Sequence, residues 1–314
     1  MERSKVVQRV AVVGTGLIGR SWAVAFARAG REVALYDEVP AVATRARTMI
    51  ADELANLAEQ GLVGDAAHAL ARVNVSETLS AAVEGAELVQ ECTSETLDAK
   101  LDVFAELDRI AGPETMLASS TSGIVASRFT KDLAGRARCF VAHPVNPPHL
   151  VPLVELVGAP WTSSAVVERA RAFYTEIGQV PIIVRAEIDG FILNRLQAAL
   201  LSEAFRLVGA GYVSPQDLDK SVKDGLGLRW SFMGPFETIE LNAPEGISDY
   251  CARYGSTLAR LSGMPLETYG GVNLSRIMSQ WNSLPDRAAV ARRMQWRDRR
   301  LAQLRKHKQS QPAE

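Results

Sequence analysis

Arg9-Val10-Ala11-Val12-Val13-Gly14-Thr15-Gly16-Leu17-Ile18-Gly19 is the stretch that decides how the first half of this chain folds. Val10 to Val13 is an apolar run of strand length, and the glycines at 14, 16 and 19 have G-x-G-x-x-G spacing. That spacing alone is a weak signal; its surroundings give it meaning. A helical stretch runs on to about Ala29, Gly30 ends it, Glu32 to Tyr36 reads as a second strand, and Asp37 closes that strand. In such a strand–helix–strand unit Gly14 allows the tight turn. Gly16 lets backbone approach a pyrophosphate, and Gly19 lets the helix pack on the strand. The helix N-terminus offers free N–H groups and the positive end of its dipole to phosphate. Asp37 follows Gly19 by 18 residues, where a carboxylate accepts hydrogen bonds from an adenosine ribose. Asp37-Glu38 would repel a 2′-phosphate, so NAD is expected rather than NADP.

The alternation continues. A long helix is expected over Ala41–Gln60, and strands near Arg72–Val75, Leu88–Glu91, Met116–Ala118, Cys139–Ala142 and Leu153–Val157. Leu97–Ile110 has helical periodicity between two of them, and Ile182-Ile183-Val184 is the last convincing strand. This order predicts an α/β fold, a Rossmann-like, doubly wound parallel sheet. Near Ile188 the period changes. Phe191, Leu193, Leu196, Ala199, Leu200, Ala204 and Leu207 fit one continuous helix, and Ser214-Pro215 reads as an N-cap with proline at the first helical position. Residues 1–187 are therefore expected to form a nucleotide-binding domain and residues 188–314 an all-helical one. The basic stretch Ala291–Lys308 reads as a solvated helix packed through Trp296, Leu301 and Leu304.

Composition narrows the function. A net charge of −1 lacks the basic surplus of a nucleic-acid binder. No apolar run approaches the length of a membrane helix, and Met1 to Gln8 lacks the apolar segment of a signal peptide. The three cysteines lie far apart without metal-ligand spacing, so no metal site is expected. Buried thiols in a reducing, cytoplasmic setting are the expectation.

The chemistry is concentrated later. His143, one of four histidines, ends the apolar run Cys139-Phe140-Val141-Ala142 and precedes the stiff Pro144-Val145-Asn146-Pro147-Pro148. Twelve residues on, Glu155 lies inside Leu153–Val157. A carboxylate in an apolar run needs a partner. If the two runs lie side by side, His143 is that partner, and the pair is a general acid/base unit.

With the glycine loop, Ser119-Ser120-Thr121-Ser122, this His–Glu pair and Asp189-Gly190-Phe191-Ile192-Leu193-Asn194-Arg195-Leu196 in order, the chain resembles the 3-hydroxyacyl-CoA dehydrogenase superfamily over almost its whole length. Gly19-Arg20-Ser21-Trp22-Ala23, Asp224-Gly225-Leu226-Gly227 and Gln295-Trp296-Arg297-Asp298 make it most similar to the L-gulonate 3-dehydrogenase branch, which includes lambda-crystallin. The resemblance implies that His143 is the catalytic acid/base and Glu155 its orienting partner. It implies that Ser122 contacts substrate and cofactor, that Asn194 completes the catalytic site, and that Asn146 lies near the nicotinamide. Glu95 and Lys100 are implied as cofactor contacts, Leu17 and Ile18 as backbone at the pyrophosphate, and the assembly as a homodimer built through the helical domain.

Acyl-CoA enzymes usually carry His-Phe-Phe-Asn-Pro where this chain has His143-Pro144-Val145-Asn146-Pro147, and proline where it has Asp189. They lack an arginine at the place of Arg229. These departures favour a small anionic hydroxy acid. The expected reaction is NAD-dependent oxidation of its 3-hydroxyl, L-gulonate to 3-dehydro-L-gulonate. The alternatives are a 3-hydroxyacyl-CoA substrate and, further off, a non-enzymatic nucleotide-binding protein. Arg229 is read as the fork for the substrate carboxylate, with His149 and Trp230 lining the same cleft.

Overall fold

The computed structural model describes residues 8–311. Residues 1–7, which belong to the stretch read as lacking a signal peptide, lie outside the described residues. Among the described residues no helix is long and apolar enough to cross a membrane. The chain divides into two compact units that part between Ala199 and Leu200.

The first unit is a sheet of eight strands in the order β3-β2-β1-β4-β5-β6-β7-β8. They are β1 Arg9–Val13, β2 Glu32–Tyr36, β3 Val73–Val75, β4 Ala86–Glu91, β5 Met116–Ser119, β6 Cys139–Pro144, β7 Leu153–Gly158 and β8 Val180–Val184. Side chains alternate across β1. Val10 and Val12 pack with Trp22 and Phe26 of helix α1 (Leu17–Arg28), and with Ile50 and Leu54 of α2 (Pro40–Glu59). Ala11 and Val13 face the other way, into a cluster with Phe104 and Leu107 of α3 (Leu97–Ile110). Both faces of the sheet are thus covered, and its strands read as continuous apolar runs for that reason.

One pair departs from the parallel arrangement expected. β6 and β7 run antiparallel, while β7 and β8 return to parallel. The reason is chain length. Only residues 145–152 join them, and a parallel crossover takes a dozen or more residues. The antiparallel register sets His143 directly opposite Glu155.

A second correction concerns the helix expected from Phe191. The helix, α4, runs Leu193–Gly209. Before it, Gly190 (φ 74°) and Phe191 (φ 49°) turn the backbone through the left-handed region. A bulky residue there is strained. What holds it is burial: the Phe191 ring is fully buried, its centroid 5.3 Å from that of His143.

The second unit is helical among the described residues. Ser214 caps Pro215–Lys220 by accepting the Asp217 N–H, as its position before Pro215 predicts. Buried Glu240 accepts the N–H groups of Ile247 (3.0 Å) and Leu284 (3.1 Å), tying two segments of this unit together. The basic stretch lies in the helix Arg287–Ser310. There the Arg293 guanidinium stacks 3.6 Å from the Trp296 ring centroid and pairs with Glu237.

Candidate active site

The C-terminal ends of β4, β5 and β6 open on a cavity of about 550 Å³. Ile18, Glu95, Lys100, Ser122, His143, Asn146 and Asn194 all line it, so residues from five separate stretches of sequence meet there.

His143 is buried at the end of β6, and its Nδ1 lies 2.7 Å from Glu155 Oε2. Glu155 is fully buried on β7. Its other oxygen, Oε1, accepts the backbone N–H groups of Ile192 (2.8 Å) and Leu193 (3.1 Å). The carboxylate therefore sits where the first N–H groups of α4 lack helical partners. Burial alone would push this carboxyl up. The hydrogen bonds from His143, Ile192 and Leu193 outweigh it and hold the group below its ordinary value. Glu155 is thus ionised near neutrality and can only accept, so the shared hydrogen resides on Nδ1. Nε2 is then the ring nitrogen left open toward a substrate hydroxyl.

Glu95 organises the opposite wall. Its Oε1 accepts from Thr121 Oγ1 (2.5 Å), the Ser122 N–H (2.8 Å), Ser122 Oγ (3.3 Å) and the Gly123 N–H (3.2 Å). Asn194 Nδ2 donates to the Ser122 carbonyl at 2.8 Å, which locks the first turn of α4 to the loop after β5. Cys92 also lines the cavity, where burial drives its thiol pKa up and disfavours the thiolate.

Asp37 lies at the end of β2, where Oδ2 accepts the Thr15 N–H (2.8 Å) and Oγ1–H (2.9 Å). The three loop glycines differ in what they meet. A Cβ on Gly14 (φ 87°) would lie 2.6 Å from the Cys92 carbonyl, and one on Gly19 would lie 2.0 Å from the Gly14 oxygen. A Cβ on Gly16 would meet nothing within 4 Å. The first turn of α1 carries no acidic residue. An open cradle of N–H groups free of negative charge, with Asp37 beside it, fits a dinucleotide. Gly19→Ala should therefore fail to fold stably. Gly16→Ala should keep the wild-type melting temperature and lose NADH affinity about tenfold or more, read by fluorescence titration. Equal loss of stability in both variants would show that no ligand sets the need for Gly16.

One expectation from sequence falls elsewhere in the first unit. His149 lies outside the cavity. It lines a separate hollow of about 160 Å³ with Arg20, Met49 and Glu53, and its Nε2 is 3.0 Å from Glu53 Oε1. Arg229 and Trp230 are on the short helix Gly227–Trp230 of the second unit. The reading of the sequence missed Thr93, Ser120 and Gln197 as lining residues. Thr93 lies two residues past β4 and Ser120 directly follows β5, and position just beyond parallel strand ends was the available signal.

Residues 9–188 match the model of the 3-hydroxyacyl-CoA dehydrogenase NAD binding domain, and residues 190–268 match that of the 3-hydroxyacyl-CoA dehydrogenase C-terminal domain. The chain belongs to the 3-hydroxyacyl-CoA dehydrogenase family. It is 44% identical to lambda-crystallin of Oryctolagus cuniculus over 312 residues, 96% of this chain and 98% of that protein. It is 42% identical over 240 residues to L-carnitine dehydrogenase of Streptomyces griseus, covering 76% of this chain and 71% of that one. The solved 3-hydroxyacyl-CoA dehydrogenase of Archaeoglobus fulgidus superposes with a TM-score of 0.77 at 26% identity, covering 97% of this chain and all of that one. As a 3-hydroxyacyl-CoA dehydrogenase family member the chain is an NAD-dependent enzyme that oxidises a CH–OH group.

Proposed function

We propose that the substrate is a small 3-hydroxy acid, L-gulonate being the reading supported best, and that the product is 3-dehydro-L-gulonate. The observation that carries this is the Glu155–His143 pair at a cavity whose lining is rich in hydroxyl and amide side chains. Ser122, Asn146, Asn194 and Gln197 line the cavity beside His143. Such groups suit the hydroxyls of a polyol acid better than an acyl chain. NAD, when bound, supplies the hydride acceptor. As hydride leaves C3, His143 Nε2 takes the hydroxyl proton and Glu155 stabilises the resulting imidazolium. Ser122 and Asn194 hold the developing carbonyl oxygen. Asn146, Glu95 and Lys100 contact the cofactor in this reading, as do Asp37 at the ribose and the Leu17–Ile18 backbone at the pyrophosphate. Arg229 is proposed to pair the substrate carboxylate.

The similarity to L-carnitine dehydrogenase gives a second reading, and the family itself a third, a 3-hydroxyacyl-CoA. All three share a hydroxyl at the third carbon. Initial rates with NAD and L-gulonate, L-carnitine or 3-hydroxybutyryl-CoA separate them. The highest kcat/KM is expected for L-gulonate, and a higher value for either rival overturns the assignment. In the same assay Arg229→Leu should raise KM for the acid with kcat little changed; an unaltered KM removes Arg229 from the site.

A homodimer is part of this proposal. Helix α4 spans 17 residues with none buried, and Phe205 on it is 78% exposed. Apolar surface of this extent marks an interface. Sedimentation equilibrium should give twice the chain mass, and Phe205→Glu a monomer. The reducing, cytoplasmic setting remains the proposed location, and the three free thiols fit it.

A further inference from the structure

Behind the cavity wall lies an ion pair that the proton-transfer reading does not use. Glu91, the last residue of β4, is fully buried, and Lys100 in the first turn of α3 is 1% exposed. Lys100 Nζ lies 2.7 Å from Glu91 Oε1. The same oxygen accepts the Thr93 N–H and Oγ1–H, each at 2.6 Å, and Oε2 accepts Ser119 Oγ–H at 2.6 Å. Glu91 thus gathers donors from the loop after β4, from β5 and from α3.

Stability alone is a weak reason for such a pair. Well-packed apolar residues often serve as well or better, because desolvating two charges offsets their attraction. The donor count points elsewhere. An ammonium carries three N–H groups and accepts nothing. One of Lys100's reaches Glu91 and a second reaches the Thr93 carbonyl at 3.2 Å. Lys100 nevertheless lines the cavity, so its third N–H is left for whatever enters.

We propose that Glu91 is a positioning residue that fixes the Lys100 ammonium so that its third N–H meets an oxygen of bound NAD. This rests on the reading of Lys100 as a cofactor contact. Glu91 does not line the cavity; it acts by holding the aim of the lysine. Thr93 serves the same end from both sides, donating to Glu91 and accepting from Lys100.

The test is a cycle of four proteins, wild type, Lys100→Met, Glu91→Gln and the double variant, with NADH affinity read by fluorescence titration without substrate. A charge-assisted hydrogen bond lost from a buried site weakens binding about tenfold or more. Lys100→Met should show that loss and Glu91→Gln one of similar size. The double variant should bind no worse than Lys100→Met. KM for NAD should rise while KM for the hydroxy acid stays. If the Glu91→Gln loss adds in full to that of Lys100→Met, Glu91 acts structurally and the proposal fails. If Lys100→Met leaves NADH affinity intact, the lysine reading fails instead. A raised KM for the acid alone would make the ligand the substrate and overturn the assignment to NAD. Should Glu91→Gln not fold, Glu91→Asp keeps the charge one carbon short. It must then weaken NADH binding only while Lys100 is present.

Discussion

His143→Ala is expected to lower kcat by about 10²- to 10⁴-fold while NADH affinity stays close to wild type. In the proposed mechanism the ring nitrogen that takes the hydroxyl proton is Nε2, because Nδ1 is occupied by Glu155 at 2.7 Å. Alanine leaves water or nothing in its place. The glycine loop and Asp37, which make the proposed contacts to the dinucleotide's adenosine side, are untouched. Steady-state rates with the best substrate of the screen, set beside an NADH titration, give both halves of the result. Undiminished kcat would remove His143 from the chemistry.

Glu155 gives the second large effect, and its two variants should fail differently. Glu155→Ala strips the partner from His143 and leaves the N–H groups of Ile192 and Leu193 unmet beside a fully buried site. One buried and two part-buried hydrogen bonds lost together should cost about 2 kcal/mol or more of stability. Glu155→Gln is nearly isosteric and keeps an oxygen for Ile192 and Leu193, so it should fold. Its amide N–H₂ then faces His143 Nδ1 and favours the opposite tautomer, with the hydrogen on Nε2. A ring protonated there cannot accept the substrate proton, and kcat should fall about 100-fold or more by loss of the base. Full activity in a folded Glu155→Gln would show that the carboxylate does not set the tautomer.

The same carboxylate makes stability depend on pH. Its folded value is depressed below the ordinary 4.5. Its contribution is therefore complete above the unfolded value and is lost as pH falls through the folded one. Wild-type melting temperature should drop on acidification below about pH 4.5, and Glu155→Gln should lack that part of the fall. An identical acid slope in both proteins would exclude this group as its source.

Much of the first unit was legible without coordinates. β1, β2 and α3 lie where apolar runs and turn residues put them, because strands covered on both faces leave unbroken apolar runs. The glycine loop was legible too, since only glycine meets the Gly14 and Gly19 backbone contacts. Phe191 was not. Its spacing suits a helix, and only burial of its ring, beside His143, holds its positive φ. Nor was Glu91, which looked like any strand-end acid until the donors of Thr93, Lys100 and Ser119 closed on it.

What the sequence by itself determined was a nucleotide-binding sheet, a helical second part, and a histidine and a glutamate twelve residues apart. Local patterns carry that much, because periodicity and turn chemistry act over a few residues at a time. Only the tertiary structure decided that β6 and β7 run antiparallel with His143 opposite Glu155. It also decided that the same carboxylate holds the start of α4, where Asn194 faces the cavity. Those facts depend on register and on which chain ends meet in space. Hydrogen bonds between distant segments fix both, and no single segment carries them alone.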